Sequence, residues 1–485
     1  MHLRCALLYA LTVFAATAQA HAANLVANPD FDTGIEHWTS GIDQRGVARP
    51  QGSQRDIGAV EVPGGRVVPA VGPVCRVSPA GTAAANGNDW AQAMALQTAL
   101  GTATCTELWV AAGTYLPTLA AVPQYSDRAV SFAVRPGVAV YGGFAGTETQ
   151  RGQRNVAANR TTLSGDIGVA GTGTDNSFNV VRMDGTTGAG PITASTVLDG
   201  FTIRDGYANS NVNYGAGLYC KGSGSGHECS PTLSRLTFSN NTTNHIAGAL
   251  YNDGRNGGNS SPRLTRVTFS GNTASHDGGA VYNDASGNGT SSPVLGNVTF
   301  SGNTTGNTGW GGGMFNDGKS GGVSSPRLVN VTFSGNQAGT FGYGGAMASD
   351  GGFNTTAGTC APLLVNVVAW NDTAGTDPEI VSYQSTTTIT YGVVQGGCPH
   401  GSACSHLVNA IASPIGTLAD NGGDTQTVLL SPGSPAIDAG SDGDCQLSPV
   451  DGVDQRGDAR PQDAHCDIGA VEMPGDTIFR YGFEQ

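Results

Sequence analysis

Between residues 230 and 372 the chain repeats one pattern of apolar and polar positions. An apolar-Thr-Phe triplet leads into a polar Ser-Gly-Asn turn, and a Gly/Ala-rich run then ends in Asn-Asp. The copies read "SPTLSRLTFSNNTTNHIAGALYND", "SPRLTRVTFSGNTASHDGGAVYND", "SPVLGNVTFSGNTTGNTGWGGGMFND" and "SPRLVNVTFSGNQAGTFGYGGAMASD", with a shortened fifth, "APLLVNVVAWND". Pro231, Pro262, Pro293, Pro326 and Pro362 mark the phase, at intervals of 31, 31, 33 and 36. A fixed period of this size means one supersecondary unit stacked on its neighbours. Alternation through Val-Thr-Phe is the period-two signature of a strand, the Gly, Asn and Ser clusters supply turns, and no long run of helix formers occurs.

One short-stranded unit per period predicts an all-β fold, a parallel β-helix in which equivalent residues stack about 4.8 Å apart. The right-handed coil is expected, since parallel connections favour that hand. Three columns follow. Phe238, Phe269, Phe300 and Phe333 form an aromatic core stack, and Asn241, Asn272, Asn303 and Asn336 form an amide ladder. Asp253, Asp284, Asp317 and Asp350 form a carboxylate column, whose members must be solvated, bonded to their own turns, or bridged by a cation such as calcium. A solvent-facing turn in which each Asp bonds its own backbone is the plainer expectation.

Upstream, "NGNDWAQAMALQTALGTA" offers Asp89 as N-cap and Trp90, Met94, Leu96 and Leu100 as an apolar face. An N-terminal capping helix is therefore expected, covering a coil end that would otherwise expose strand edges. The domain reading is a β-helix over 75–395 followed by a C-terminal region at 396–476 and a short tail at 477–485. The first residues, "MHLRCALLYALTVFAATAQA", combine Arg4, an apolar run and an A-x-A ending, which predicts a signal peptide within 1–23. No later segment reads as a transmembrane helix. Residues 24–66 contain "DQRGVARPQGSQRDIGAVE", a near copy of "DQRGDARPQDAHCDIGAVE" from Asp454, and are expected to be a fusion relic of truncated domain ends.

Composition narrows the partners. The formal charge is −14, charged residues make up 12%, and the only lysines are Lys221 and Lys319. Nucleic acid and anionic membranes are poor partners for such a chain, because binding phosphate requires positive charge. Divalent cations and neutral glycans suit it better. An exported chain meets an oxidising compartment, and closeness in sequence suggests the pairs Cys75 with Cys105, Cys220 with Cys229, Cys398 with Cys404 and Cys445 with Cys466, leaving Cys360 unpaired.

The alternation of F-x-x-N with G-G-A-apolar from Leu233 to Asp350 resembles the repeat of the polymorphic outer-membrane proteins. That resemblance implies a right-handed β-helix at a cell surface. The C-terminal stretch lacks the alternating ten-residue strands of a membrane barrel, so autotransport is not expected. "LADNGGDTQTVLLSPGSPAIDAG" with the segment after it, together with "CRVSPAGTAAANGNDWAQAM", resembles the choice-of-anchor Q proteins, which implies an exported bacterial protein. Its "SPAIDAG" to "DIGAVE" block is then expected to be the closing piece of the coil. The implied location is extracellular or at the outer membrane of a Gram-negative bacterium.

Chemistry-bearing candidates are few. Asp199, Arg204 and Asp205 in "LDGFTIRDG" are the candidates for catalysis by a polysaccharide lyase or glycoside hydrolase, which need placed acids and a basic group. Trp310, Phe341 and Tyr343 sit in Gly-rich loops, where flat rings stack on sugars or on a surface protein, or pack against the coil. "DAGSDGDC" from Asp438 imitates a calcium loop at Asp438, Asp442 and Gly443 but lacks the bidentate Glu. The nine histidines look scattered, and neither G-x-S-x-G nor H-E-x-x-H occurs. An adhesin or interaction scaffold is the leading expectation, with a carbohydrate-active enzyme and a structural surface-layer component as alternatives.

Overall fold

The computed structural model describes residues 74–117, 128–209, 214–352 and 357–474. The expected signal peptide, the 24–66 segment and the 477–485 tail lie outside them. The described chain is a parallel β-solenoid. Its longest sheet has 13 strands, running from Val74–Thr82 through Glu107–Ala111, Ala139–Phe144 and Val197–Arg204 into the repeats, and ending at Ser402–Leu407. A second, eight-stranded sheet collects the Asn-Asp ends of the units, such as Leu250–Asp253 and Val281–Asp284, and a third of two-residue strands follows the Ser-Gly-Asn turns. Neighbouring copies pair in parallel with no slip, Phe238 against Phe269 and Asp253 against Asp284. Among the described residues no helix is long and apolar enough to cross a membrane.

The core follows the predicted columns. Phe238, Phe269, Phe300 and Phe333 are fully buried and stack with ring centroids 4.9, 4.8 and 4.7 Å apart. Beside them Asn241 Oδ1 accepts from Gly206 N, while the Oδ1 of Asn272, Asn303 and Asn336 accepts from both the backbone N and the Nδ2 of the Asn one coil below, as in Asn272 Nδ2 to Asn303 Oδ1 at 2.9 Å. The same Nδ2 also donates to a main-chain carbonyl, Phe238 O at 3.0 Å, so a buried amide leaves no donor unused. A second amide column, Asn252, Asn283 and Asn316, links the second sheet in the same way at 2.8 Å.

At the N-terminal end Asp89 caps a 3-10 turn, Trp90–Gln92, by accepting from Gln92 N. The α-helix that follows is shorter than the sequence implies, Leu96–Gly101, and buries Leu96, Ala99 and Leu100. All four expected disulfides form, and Cys360 is free and buried.

The C-terminal region takes a different place from the one its sequence suggests. After an antiparallel hairpin, Ile415–Ala419 with Thr427–Leu430, it runs back along the side of the long sheet instead of stacking as a closing coil. Gln455, fully buried, accepts from Thr299 Oγ1 at 2.7 Å and donates to Thr268 Oγ1 at 2.8 Å and Thr425 Oγ1 at 2.9 Å. Asn297 donates to Val453 O, Asn330 to Asp467 O and Gly469 O, and Asn366 to Ser441 O. These three asparagines hold a left-handed backbone, φ 54–56°, which turns their amides outward at one height in successive strands. Within the segment Arg460, fully buried, pairs with Glu472 at 2.9 Å and donates to the carbonyls of Asp467 and Gly469.

Candidate functional site: a polar cavity on the first coils

The strand Thr161–Ser164 leads into a loop, 165–176, that stands off the coil and meets the end of Val197–Arg204. Between them lies a cavity of about 320 Å³ whose lining includes Asp166, Asn176, Arg204, Asp205, Tyr207 and Asn240. Asp166 is fixed by Gly171 N, 3.0 Å from each of its oxygens. Asp205 sits at φ 61°, an uncommon conformation for a residue with a side chain. Its carboxylate accepts from Ser164 Oγ at 3.2 Å and pairs with Arg204 Nε at 3.1 Å. Burial pushes its pKa up, the Arg204 charge and the Ser164 bond pull it down, and the Asp166 charge raises it further.

Asn176 is held by donation to Asp205 O at 2.7 Å, while its Oδ1, buried, has no donor. Arg128 braces the wall, donating to Asn176 O and Tyr207 O at 2.6 Å and lying over the Phe178 and Tyr207 rings. Two carboxyls, a guanidinium, two amides and a phenol ring in one open cavity form a set of donors and acceptors suited to a polyhydroxylated ligand.

The other predicted residues have structural partners. Asp199 does not join Arg204 and Asp205: it is 1% exposed and closed off by Arg235 Nε at 2.7 Å and Arg154 at 3.0 Å, so a polymer substrate does not reach it. The acidic column is in register, yet its members are buried or half-buried rather than solvent-facing. Tyr219, Tyr251 and Tyr282 donate to Asp253, Asp284 and Asp317 one coil on, at 2.7–2.8 Å. Turn N–H groups two residues later supply a further bond to each.

Where Phe315 replaces the tyrosine, Lys319 Nζ bridges Asp317 at 3.2 Å and Asp350 at 3.3 Å, and lower down Arg255 bridges Asp253 and Asp284. Lys221 lies in the same column, 3.7 Å from Asp184, so both lysines of the chain serve it. Fixed cations and hydroxyl donors thus occupy the places that calcium would take. Burial, then the Asp317 charge, still raise Asp284 to about 6.

Trp310 and Tyr343, both partly buried, pack over Phe315 with their own centroids 4.5 Å apart, while Phe341 is 74% exposed. Asp438 and Asp442 bond to His465 and Cys466 backbone N–H groups, so the imitation calcium loop tethers the chain at the disulfide. Asp442, Cys445 and Cys466 bring metal-type ligand atoms within 4.8 Å, but both sulfurs are taken by their disulfide. The histidines are less scattered than they look: His245 and His276, one period apart, stack at 5.0 Å.

The sequence profile of the Chlamydia polymorphic membrane protein repeat matches residues 266–284, part of one coil from the Phe269 strand to Asp284. Among solved structures, a crystal structure of pectate lyase Pel9A aligns with 82% of this chain and 96% of its own, at 14% identity and a TM-score of 0.39. No curated protein matches the chain.

Proposed function

We propose that this is an exported or surface-associated β-solenoid that serves as a binding scaffold for glycans, with the Asp166–Asp205 cavity as its ligand site. The repeat match supports a surface or outer-membrane setting, and the resemblance to choice-of-anchor Q proteins supports export. The cavity carries the reading. Along the acidic column the buried acids are held by tyrosines, arginines and lysines, whereas here two acids, the exposed Asn240 amide and a ring line an open cavity.

The favoured ligand is a neutral or amino-bearing sugar. Asp166 and Asp205 outweigh the single Arg204 at the cavity, and the chain as a whole carries −14, so a uronate polymer is repelled both locally and at long range. Titration of neutral, amino-bearing and uronate oligosaccharides into the wild type and Asp205→Ala tests this. Tenfold weaker binding by the variant is expected for a neutral or amino oligosaccharide; equal affinities, or tighter binding of polygalacturonate, refute the reading.

A hydrolytic reading has one observation in its favour, an Asp205 carboxyl whose pKa is raised by burial next to a second carboxylate. Release of reducing ends from a bound glycan, abolished by Asp205→Asn, would establish it over simple binding.

A further inference from the structure

The amide ladder ends in acids. Asp372 occupies the next Asn position, and its Oδ1 accepts from Asn336 N at 2.6 Å and Nδ2 at 2.7 Å. The coil beyond, Thr387–Val394, pairs Val394 with Ala369, so the following ladder position falls on Gly397, which has no side chain to continue it. Glu379 fills the gap. The pairing of Met347 with Ile380 places Glu379 in the column of Ala249, Ala280, Gly313 and Ala346, small residues in the four coils below.

Asp372 is 3% and Glu379 4% exposed. Asp372 Oδ2 and both Glu379 oxygens are buried with no side-chain donor bonded to them. Three acceptor oxygens brought together in the interior are repulsive unless something bridges them. The other groups bonding to the pair are uncharged, the Asn336 amide and the Trp370 N–H on Asp372 and the Asp372 N–H on the Glu379 carboxyl, while Ala346 and Met347 N–H bond only the main-chain carbonyl of Glu379.

We propose that Asp372 and Glu379 share one proton in the folded protein, and that this proton locks the last coils, which open at their C-terminal end when it is removed at alkaline pH. One proton converts the clash into an O–H···O bond and leaves a single charge, which the Asn336 bonds solvate. The ionisation of the pair agrees in direction: burial, then the negative Asp372, raise Glu379 to about 10, and burial raises Asp372 to about 6. A carboxyl raised on folding stabilises the native state fully below its unfolded value, and that contribution is lost as pH rises through the folded one. The contribution therefore erodes progressively from about pH 4.5 and is gone by about pH 10, so the last coils are weakest at alkaline pH.

The test is amide hydrogen exchange on the full chain, corrected for intrinsic rates, between neutral pH and about pH 10.5, set to span the Glu379 value. In the wild type, the strands Leu363–Trp370 and Thr387–Val394 are expected to lose protection progressively from neutral pH up to about pH 10, while Arg263–Ser270 keeps it. Glu379→Gln, which brings its own N–H donor to Asp372, should abolish that loss. Equal alkaline loss in Glu379→Gln overturns the proposal, and so does calcium or potassium restoring protection in the wild type, which would mean a bridging cation. Should Glu379→Gln not fold, infrared spectroscopy of the wild type decides. A protonated carboxylic C=O stretch at pH 8 supports the shared proton, and its absence refutes it.

Discussion

Replacing Gln455 with Ala should detach the C-terminal flank while leaving the solenoid intact. The side chain is fully buried and makes three short bonds, to Thr299, Thr268 and Thr425. Thr268 keeps a partner in Gln426 O at 2.6 Å, but Thr299 loses the one that orders its hydroxyl. At about 1 kcal/mol per bond lost, with the unsatisfied Thr299 at the upper end of that scale, docking should weaken by about 3 kcal/mol. Because 1.4 kcal/mol is tenfold, the detached population should rise about a hundredfold. Leu430, buried in the docked hairpin, offers a chymotryptic site whose accessibility reports detachment. Limited proteolysis of wild type, Gln455→Ala and the exposed control Asp463→Ala should show accelerated release of the flank only in Gln455→Ala, with the 74–407 coil surviving. Cleavage at the wild-type rate refutes the bond arithmetic. Simultaneous loss of the coil refutes the view that the flank docks on a self-sufficient solenoid.

Phe300→Ala removes a ring stacked on both sides and should cost about 3–5 kcal/mol by urea denaturation, whereas Phe341→Ala, at an exposed ring, should change stability by less than about 0.5 kcal/mol. Asp284 is raised on folding, so its contribution is complete at low pH and fades as pH rises through about 6; Asp284→Asn, which still accepts from Tyr251, should flatten melting temperature between pH 4 and about pH 7. A chelator should leave the melting temperature unchanged, because Arg255, Lys319 and the tyrosines already hold the acidic column; a fall in its presence would restore calcium to that column.

What the sequence reveals and what it hides divides along one physical line. Contacts between coils repeat with the period, so the Phe stack, the Asn ladder and the order of the Asp column are legible from spacing alone, and the disulfides from closeness. Contacts across the side of the solenoid carry no period. Asp199 looks like part of an exposed Asp-Arg-Asp set, yet its partners Arg154 and Arg235 come from other coils, and only Arg204 and Asp205 of the set line a cavity. Asp166 and Asn176 had no distinguishing pattern beyond a Gly-rich loop. The flank left one trace, the change from Arg235 and Arg266 to Asn297, Asn330 and Asn366 at a single repeat position, which marks where outward amides meet another chain segment. Glu379 was also visible in principle, as the one acid in a column that is small throughout the repeats.

The laid-back flank also sets the length of the molecule. A repeat array can ordinarily gain or lose a unit by recombination, since each coil needs only its neighbours. Here one continuous segment touches Thr268, Asn297, Asn330 and Asn366, each on a successive strand, so it works as a tally stick cut for a fixed number of coils. Adding a coil between the second and fifth repeats would displace the Asn366 notch from Ser441 by one strand spacing, about 4.8 Å, far beyond the reach of a hydrogen bond. Copy number in this solenoid is therefore under structural selection from its own tail.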